Sequence, residues 1–242
     1  MSGPMTPQMA QPRAVQPMRL PGRIWLRWVL ANGAAEMVGL GISGILFVTV
    51  LLGWEARTGV LWAALITVVA STLVEGTAVG VLQGRVLRGA LPQLSLRAWW
   101  IGTSLGALVA WTAGMLPSTL MSMAEESTGA APVEMSQWLT LLLAAGLGAL
   151  AGPILGIGQW WVLRAHVQRA WLWIPAQSLA WAAGMPLIFQ LMDWVAPGRF
   201  TLVDGLIVVG MLFAAGAVVG AVHGWVLLHL LRAPSSALSA SG

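Results

Sequence analysis

The sequence predicts an all-α polytopic membrane protein: a bundle of six transmembrane helices arranged as three parallel helical-hairpin repeats. Three observations carry this prediction. Of the 242 residues, 58% are hydrophobic and only 8% charged, against roughly a quarter charged in a soluble domain. Six apolar stretches are each long enough to cross a bilayer, which takes about 20 helical residues. A short pattern of glycines, a Gln or His, and Val-Leu recurs near the ends of the second, fourth and sixth stretches. The same composition excludes a soluble globule and a disordered polar chain. A disulfide-stapled module is excluded too, because there is no cysteine.

In chain order, residues 1–22 hold Pro4, Pro7, Pro12, Pro17 and Pro21 and no acid, which reads as a disordered cytoplasmic arm. The first apolar run is too long for a signal peptide. The membrane domain is read as 23–232, with hairpins at about 23–88, 97–164 and 169–231. Spans are expected near 29–54, 60–83, 99–121, 137–161, 171–194 and 202–231. Each must satisfy its own backbone in lipid, and none alternates polar and apolar residues as a barrel strand does, so helices are expected. Pro117, Pro153, Pro175 and Pro186 are expected to bend them. The connections are short, so consecutive helices should be antiparallel neighbours. Residues 233–242 read as a disordered cytoplasmic tail.

Charge sets the expected orientation. Arg13, Arg19, Arg23 and Arg27 precede the first span, and Arg85, Arg88 and Arg97 follow the second. Arg164 and Arg169 follow the fourth and Arg232 the sixth, all without an accompanying acid. Glu55, Glu125, Glu126, Glu134, Asp193 and Asp204 cluster in or beside the alternate loops with only Arg57 and Arg199. The positive-inside rule then places both termini in the cytoplasm. The basic excess is an orientation signal with some anionic-lipid contact, and no nucleic-acid partner is expected.

The recurring pattern has physical content. Gly76 and Gly80, Gly152 and Gly156, and Gly216 and Gly220 lie four apart, each pair making a flat strip where a neighbouring backbone can approach. Gln83, Gln159 and His223 follow three residues later on the same face, placed for interhelical hydrogen bonds. Trp25, Trp28, Trp99, Trp100, Trp160, Trp161, Trp171 and Trp173 sit beside the arginines and are expected as interfacial anchors. Parallel repeats of a hairpin imply a pseudo-threefold axis along the membrane normal.

The run Gly156-Ile157-Gly158-Gln159-Trp160-Trp161-Val162-Leu163-Arg164, with Arg169-Ala170-Trp171-Leu172-Trp173-Ile174 after it, resembles a repeat of bacterial multi-spanning membrane proteins. Their pattern is Gly-x-x-Gln-Trp-x-Val-Leu-Arg, a short linker, then Trp-Trp-Ile. The resemblance extends over most of the chain, although Gln83-Gly84-Arg85 and His223 with Leu228 depart from it. It implies the hairpin architecture alone and brings no activity; the expected location is a bacterial inner membrane.

Two carboxylates lie at depth. Glu36 and Glu75 are each about 14 Å from the cytoplasmic edge on consecutive helices, where the other hairpins carry small residues. An ionisable group inside a membrane marks a functional site by default. The pair reads either as two acids sharing a proton or binding a cation, or as neutral acids bonded to Asn32, Thr77 or backbone. His223 completes the intramembrane polar set. Its flanking Gly220 and Gly224 would leave room for a haem or pigment macrocycle, but one unpaired histidine does not predict a cofactor, and no metal site is expected. No nucleophile elbow, zinc motif or phosphate loop occurs, so no enzymatic activity is expected. The reading placed first is a structural or accessory subunit packing against membrane proteins, lipids, pigments or copies of itself. The alternative is a small transporter or channel for protons, cations or a small solute, with Glu36 and Glu75 in the pathway. Three parallel hairpins resemble the mitochondrial-carrier layout, but its Pro-x-Asp/Glu-x-x-Lys/Arg motif is missing.

Overall fold

A computed structural model describes residues 21–129, 135–194 and 201–232. Six long helices follow one another: α1 (Pro21–Thr58), α2 (Val60–Ala90), α3 (Leu96–Thr128), α4 (Gln137–Leu163), α5 (Trp173–Trp194) and α6 (Leu202–Arg232). All six are long and apolar enough to cross a bilayer, which makes the chain a multi-pass membrane protein. The first helix starts earlier than hydropathy suggests. Pro21 and Gly22, expected in the disordered arm, open α1, so Arg23, Trp25, Arg27 and Trp28 form its first turns. Proline suits that position, because the first helical N–H has no partner to lose. The rest of the arm and the tail at 233–242 lie outside the described residues.

Local chemistry sets the other boundaries. A single residue, Gly59, joins α1 to α2 with φ 84° and ψ 153°, a conformation that is essentially glycine-only. Ser95 and Ser136 cap α3 and α4 by accepting from the backbone N–H of Ala98 and Leu139. Thr201 and Asp204 cap α6 reciprocally: Asp204 Oδ2 accepts from Thr201 N at 2.7 Å, and Thr201 Oγ1 accepts from Asp204 N at 3.3 Å. Helices α3, α4 and α5 continue through Pro117, Pro153 and Pro186. Pro175 falls in the first turn of α5, just after a 3₁₀ turn at Ala170–Leu172.

The helices close into a ring. Each packs against its chain neighbours, and α6 returns to pack against α1. Glycine faces make the contacts close. On α2, Gly76 lies on Ser104 and Gly80 on Trp100 of α3; on α4, Gly152 lies on Gln177 and Gly156 on Ile174 of α5. On α6, Gly216 lies on Glu36 and Gly220 on Val29 and Asn32 of α1. Numbers rise on one helix as they fall on its partner, so these pairs are antiparallel. A Cβ built on Gly152 would come within 2.6 Å of the Gln177 carbonyl carbon. A Cβ on Gly146 or Gly210, by contrast, would meet nothing within 4 Å among the described residues.

One sequence expectation is corrected here. Trp28, Trp99 and Trp173, expected as interfacial anchors, are all 0% exposed. They form the middle of an apolar cluster with Leu87, Leu163 and Leu227. Trp28 and Trp99 both stand edge-on to Trp173, with ring centroids 5.9 and 6.5 Å away. Nearness to arginine in sequence says how deep a tryptophan sits, whereas helix rotation decides whether it faces lipid or the bundle. Trp161 and Trp171 do face outward, and the Arg164 guanidinium lies 3.4 Å from the Trp161 ring centre. Trp25, Trp100 and Trp160 are half-buried.

Candidate functional site

One turn beyond the buried tryptophans, α1, α3 and α5 place Asn32, Thr103 and Gln177 in the core, each four residues after its Trp. Helices α2, α4 and α6 bring Gln83, Gln159 and His223 to the same layer, all at most 2% exposed. A buried amide in an apolar bundle has to find partners, and these find one another. Gln159 is saturated: its Nε2 donates to Gln83 Oε1 at 2.9 Å and Thr103 Oγ1 at 3.1 Å. Its Oε1 accepts from Trp173 Nε1 at 2.9 Å and Gln177 Nε2 at 2.6 Å. Gln83 donates to Asn32 Oδ1, and Asn32 donates to the Trp28 carbonyl, both at 2.8 Å. His223 accepts from Trp28, Nε1 to Nδ1, at 2.9 Å, and its ring stands against Trp28 and Trp173.

Glu36 and Glu75 lie one to two turns further on. Glu75 packs over Gly39 of α1, and its Oε2 accepts from Trp111 Nε1 of α3 at 2.7 Å. Glu36 packs over Gly216 of α6, and its Oε2 has no hydrogen-bond partner among the described residues. Both acids line one small cavity of about 20 Å³, whose wall takes residues from all six helices, including Gln83, Gln159, Gln177 and His223. No cationic side chain is among its lining residues. A group with that solvation can hold a proton or a small polar guest, since an uncompensated charge there is costly.

The neutral-acid partners expected from sequence are otherwise engaged: Asn32 is taken by Gln83, and Thr77 accepts from Trp100 at 3.1 Å. The room expected beside His223 is also filled, because α1 lies against Gly220 and Gly224 through Val29, Asn32, Trp25 and Trp28. Among the described residues, no group of three or more His, Asp or Glu side chains could hold a metal. Sequence reasoning missed Thr103, Trp111 and the indole donors Trp28 and Trp173. The signal for three of them was available: Trp28-x-x-x-Asn32, Trp99-x-x-x-Thr103 and Trp173-x-x-x-Gln177 share one helix face. No family model, curated protein or solved structure matches this chain.

Proposed function

We propose that this chain is a non-enzymatic integral membrane protein that handles protons or a small cation at Glu36 and Glu75. One observation carries the reading: two buried carboxyl side chains from consecutive helices line a single cavity walled by six helices, and no cationic side chain is among its lining residues. Two ionised acids there would repel and be poorly solvated, so the pair holds a proton or a cation between them. The protein sits in a bacterial inner membrane with both termini cytoplasmic, as the loop arginines argue. Its six helices are three hairpins related by a pseudo-threefold axis. Support for that symmetry comes from equivalent burial of Trp28, Trp99 and Trp173, of Leu87, Leu163 and Leu227, and of Gln83, Gln159 and His223.

Proton flux into liposomes tests the function. Glu36→Gln and Glu75→Gln keep hydrogen-bonding capacity and remove titration, so both should fold and lose the flux. Gln137→Ala, at an exposed pair with Gln190, should retain it. Wild-type protein without flux in sealed, oriented liposomes would overturn the proposal. A structural or accessory role is the second reading, favoured by the sealed Trp and Leu layer below the polar one. Under that reading the acid variants keep their place in a larger detergent-stable complex and no flux exists to lose.

A further inference from the structure

The side-chain hydrogen bonds of the polar layer run in one direction and stop at open ends. Starting from Gln177, each amide donates to the next: Gln177 to Gln159, Gln159 to Gln83, Gln83 to Asn32, and Asn32 to the Trp28 carbonyl. Trp28 carries the chain on by giving its indole N–H to Nδ1 of His223. An indole nitrogen only donates, so Nδ1 is the accepting nitrogen and the uncharged ring carries its proton on Nε2. Among the described residues, that Nε2 has no hydrogen-bond partner. Neither has Oε1 of Gln177, at the other end of the chain, nor Oε2 of Glu36. All three residues are at most 2% exposed and line the same cavity. One donor and two acceptors are the complement of a water molecule, which accepts from the first and donates to the other two. A cavity of about 20 Å³ is the size that one water needs.

We propose that this cavity is a built site for a single water molecule, held by His223 Nε2, Gln177 Oε1 and Glu36 Oε2. The water closes the side-chain chain into a ring through α1, α2, α4, α5 and α6, with Thr103 of α3 attached through Gln159. The inference rests on the reading of Glu36 as a proton- or cation-handling site, and it names the species as a proton. A metal cation such as sodium wants a shell of oxygens and no N–H aimed at it. An ammonium ion has only donors and cannot accept from Nε2. The titratable groups lining the cavity with His223 are Glu36 from α1 and Glu75 from α2; its lining residues from α3, α4 and α5 are uncharged.

The test uses the full chain in lipid bilayers with isotope-labelled histidine and glutamate, read by solid-state NMR. A His166→Gln and His229→Gln double variant leaves His223 as the sole histidine, and neither residue belongs to the polar layer. The expected result is a proton on Nε2 that receives magnetisation from water, unchanged when sodium chloride is added. A proton on Nδ1, or an Nε2 proton in direct contact with a carboxyl carbon and no water transfer, would overturn the water site. A sodium-dependent shift of the Glu36 signal would overturn the proton assignment. Flux is measured separately on the same preparation. Water transfer without flux defeats the functional reading alone, whereas flux with the Nδ1 tautomer defeats the water site alone.

Discussion

Replacing Gln159 by Met asks how much of the bundle's stability resides in the polar layer. Met has similar length and flexibility, so it fills the site without a packing hole, while every hydrogen bond of Gln159 disappears. Four are lost: to Gln83 and Thr103, and from Trp173 and Gln177. Interhelical bonds in membrane proteins average about 0.6 kcal/mol each, so four of them contribute about 2.4 kcal/mol. The partners left behind are buried, and orphaned groups cost about 1 kcal/mol or more apiece. Gln159→Met should therefore cost about 3–5 kcal/mol. Equilibrium unfolding in mixed micelles with increasing denaturing detergent measures it. Gln83→Met, which breaks the bonds to Asn32 and from Gln159, should cost about half as much. Gln137→Met, losing one exposed bond, should cost almost nothing. If Gln159→Met unfolds within about 1 kcal/mol of the wild type, the saturated amide is not a structural node and the premise from orphaned groups fails.

Gly152→Ala drives a methyl into the Gln177 backbone and should destabilise, whereas Gly146→Ala faces open space and should stabilise by about 0.5–1 kcal/mol through helix propensity; equal melting of the two variants would show that α4 is rotated differently. Trp28→Phe removes the donor to His223 Nδ1, so the imidazole proton should redistribute toward Nδ1, with a stability loss of about 1–2 kcal/mol; an unchanged tautomer in the NMR spectrum would refute the link. The chain has no native cysteine, so single cysteines report sidedness cleanly. Cysteines at Arg88, Arg169 and Arg232 should react with an impermeant thiol reagent from the cytoplasmic side and one at Glu126 from the opposite side, and a cytoplasmic Glu126 would overturn the topology.

Much of the candidate site was legible because depth in a helix is counted in residues. A constant rise per residue placed Glu36 and Glu75 at matching heights, and three-residue spacing put Gly80 and Gln83 or Gly156 and Gln159 on one face. What sits opposite those faces was not legible. Glu75 takes its hydrogen bond from Trp111, 36 residues away, and Gln83 reaches Asn32 across 51. Such partners depend on how two helices are rotated and slid against each other, and no local pattern encodes that.

The sequence by itself determined six membrane-length apolar helices, because transfer from water to lipid is a sum over residues and needs no tertiary contact. It also determined where small and polar side chains recur along each helix. Only the tertiary structure decided that α6 closes on α1, and that the closing glycines seat Asn32 and Glu36. It alone decided that Trp28 turns inward while Trp25, three residues earlier, stays at the edge. Both tryptophans are equally suited to an interface, and the choice between them belongs to helix rotation. That rotation is set where glycine faces let two backbones meet, an energy that exists only between helices.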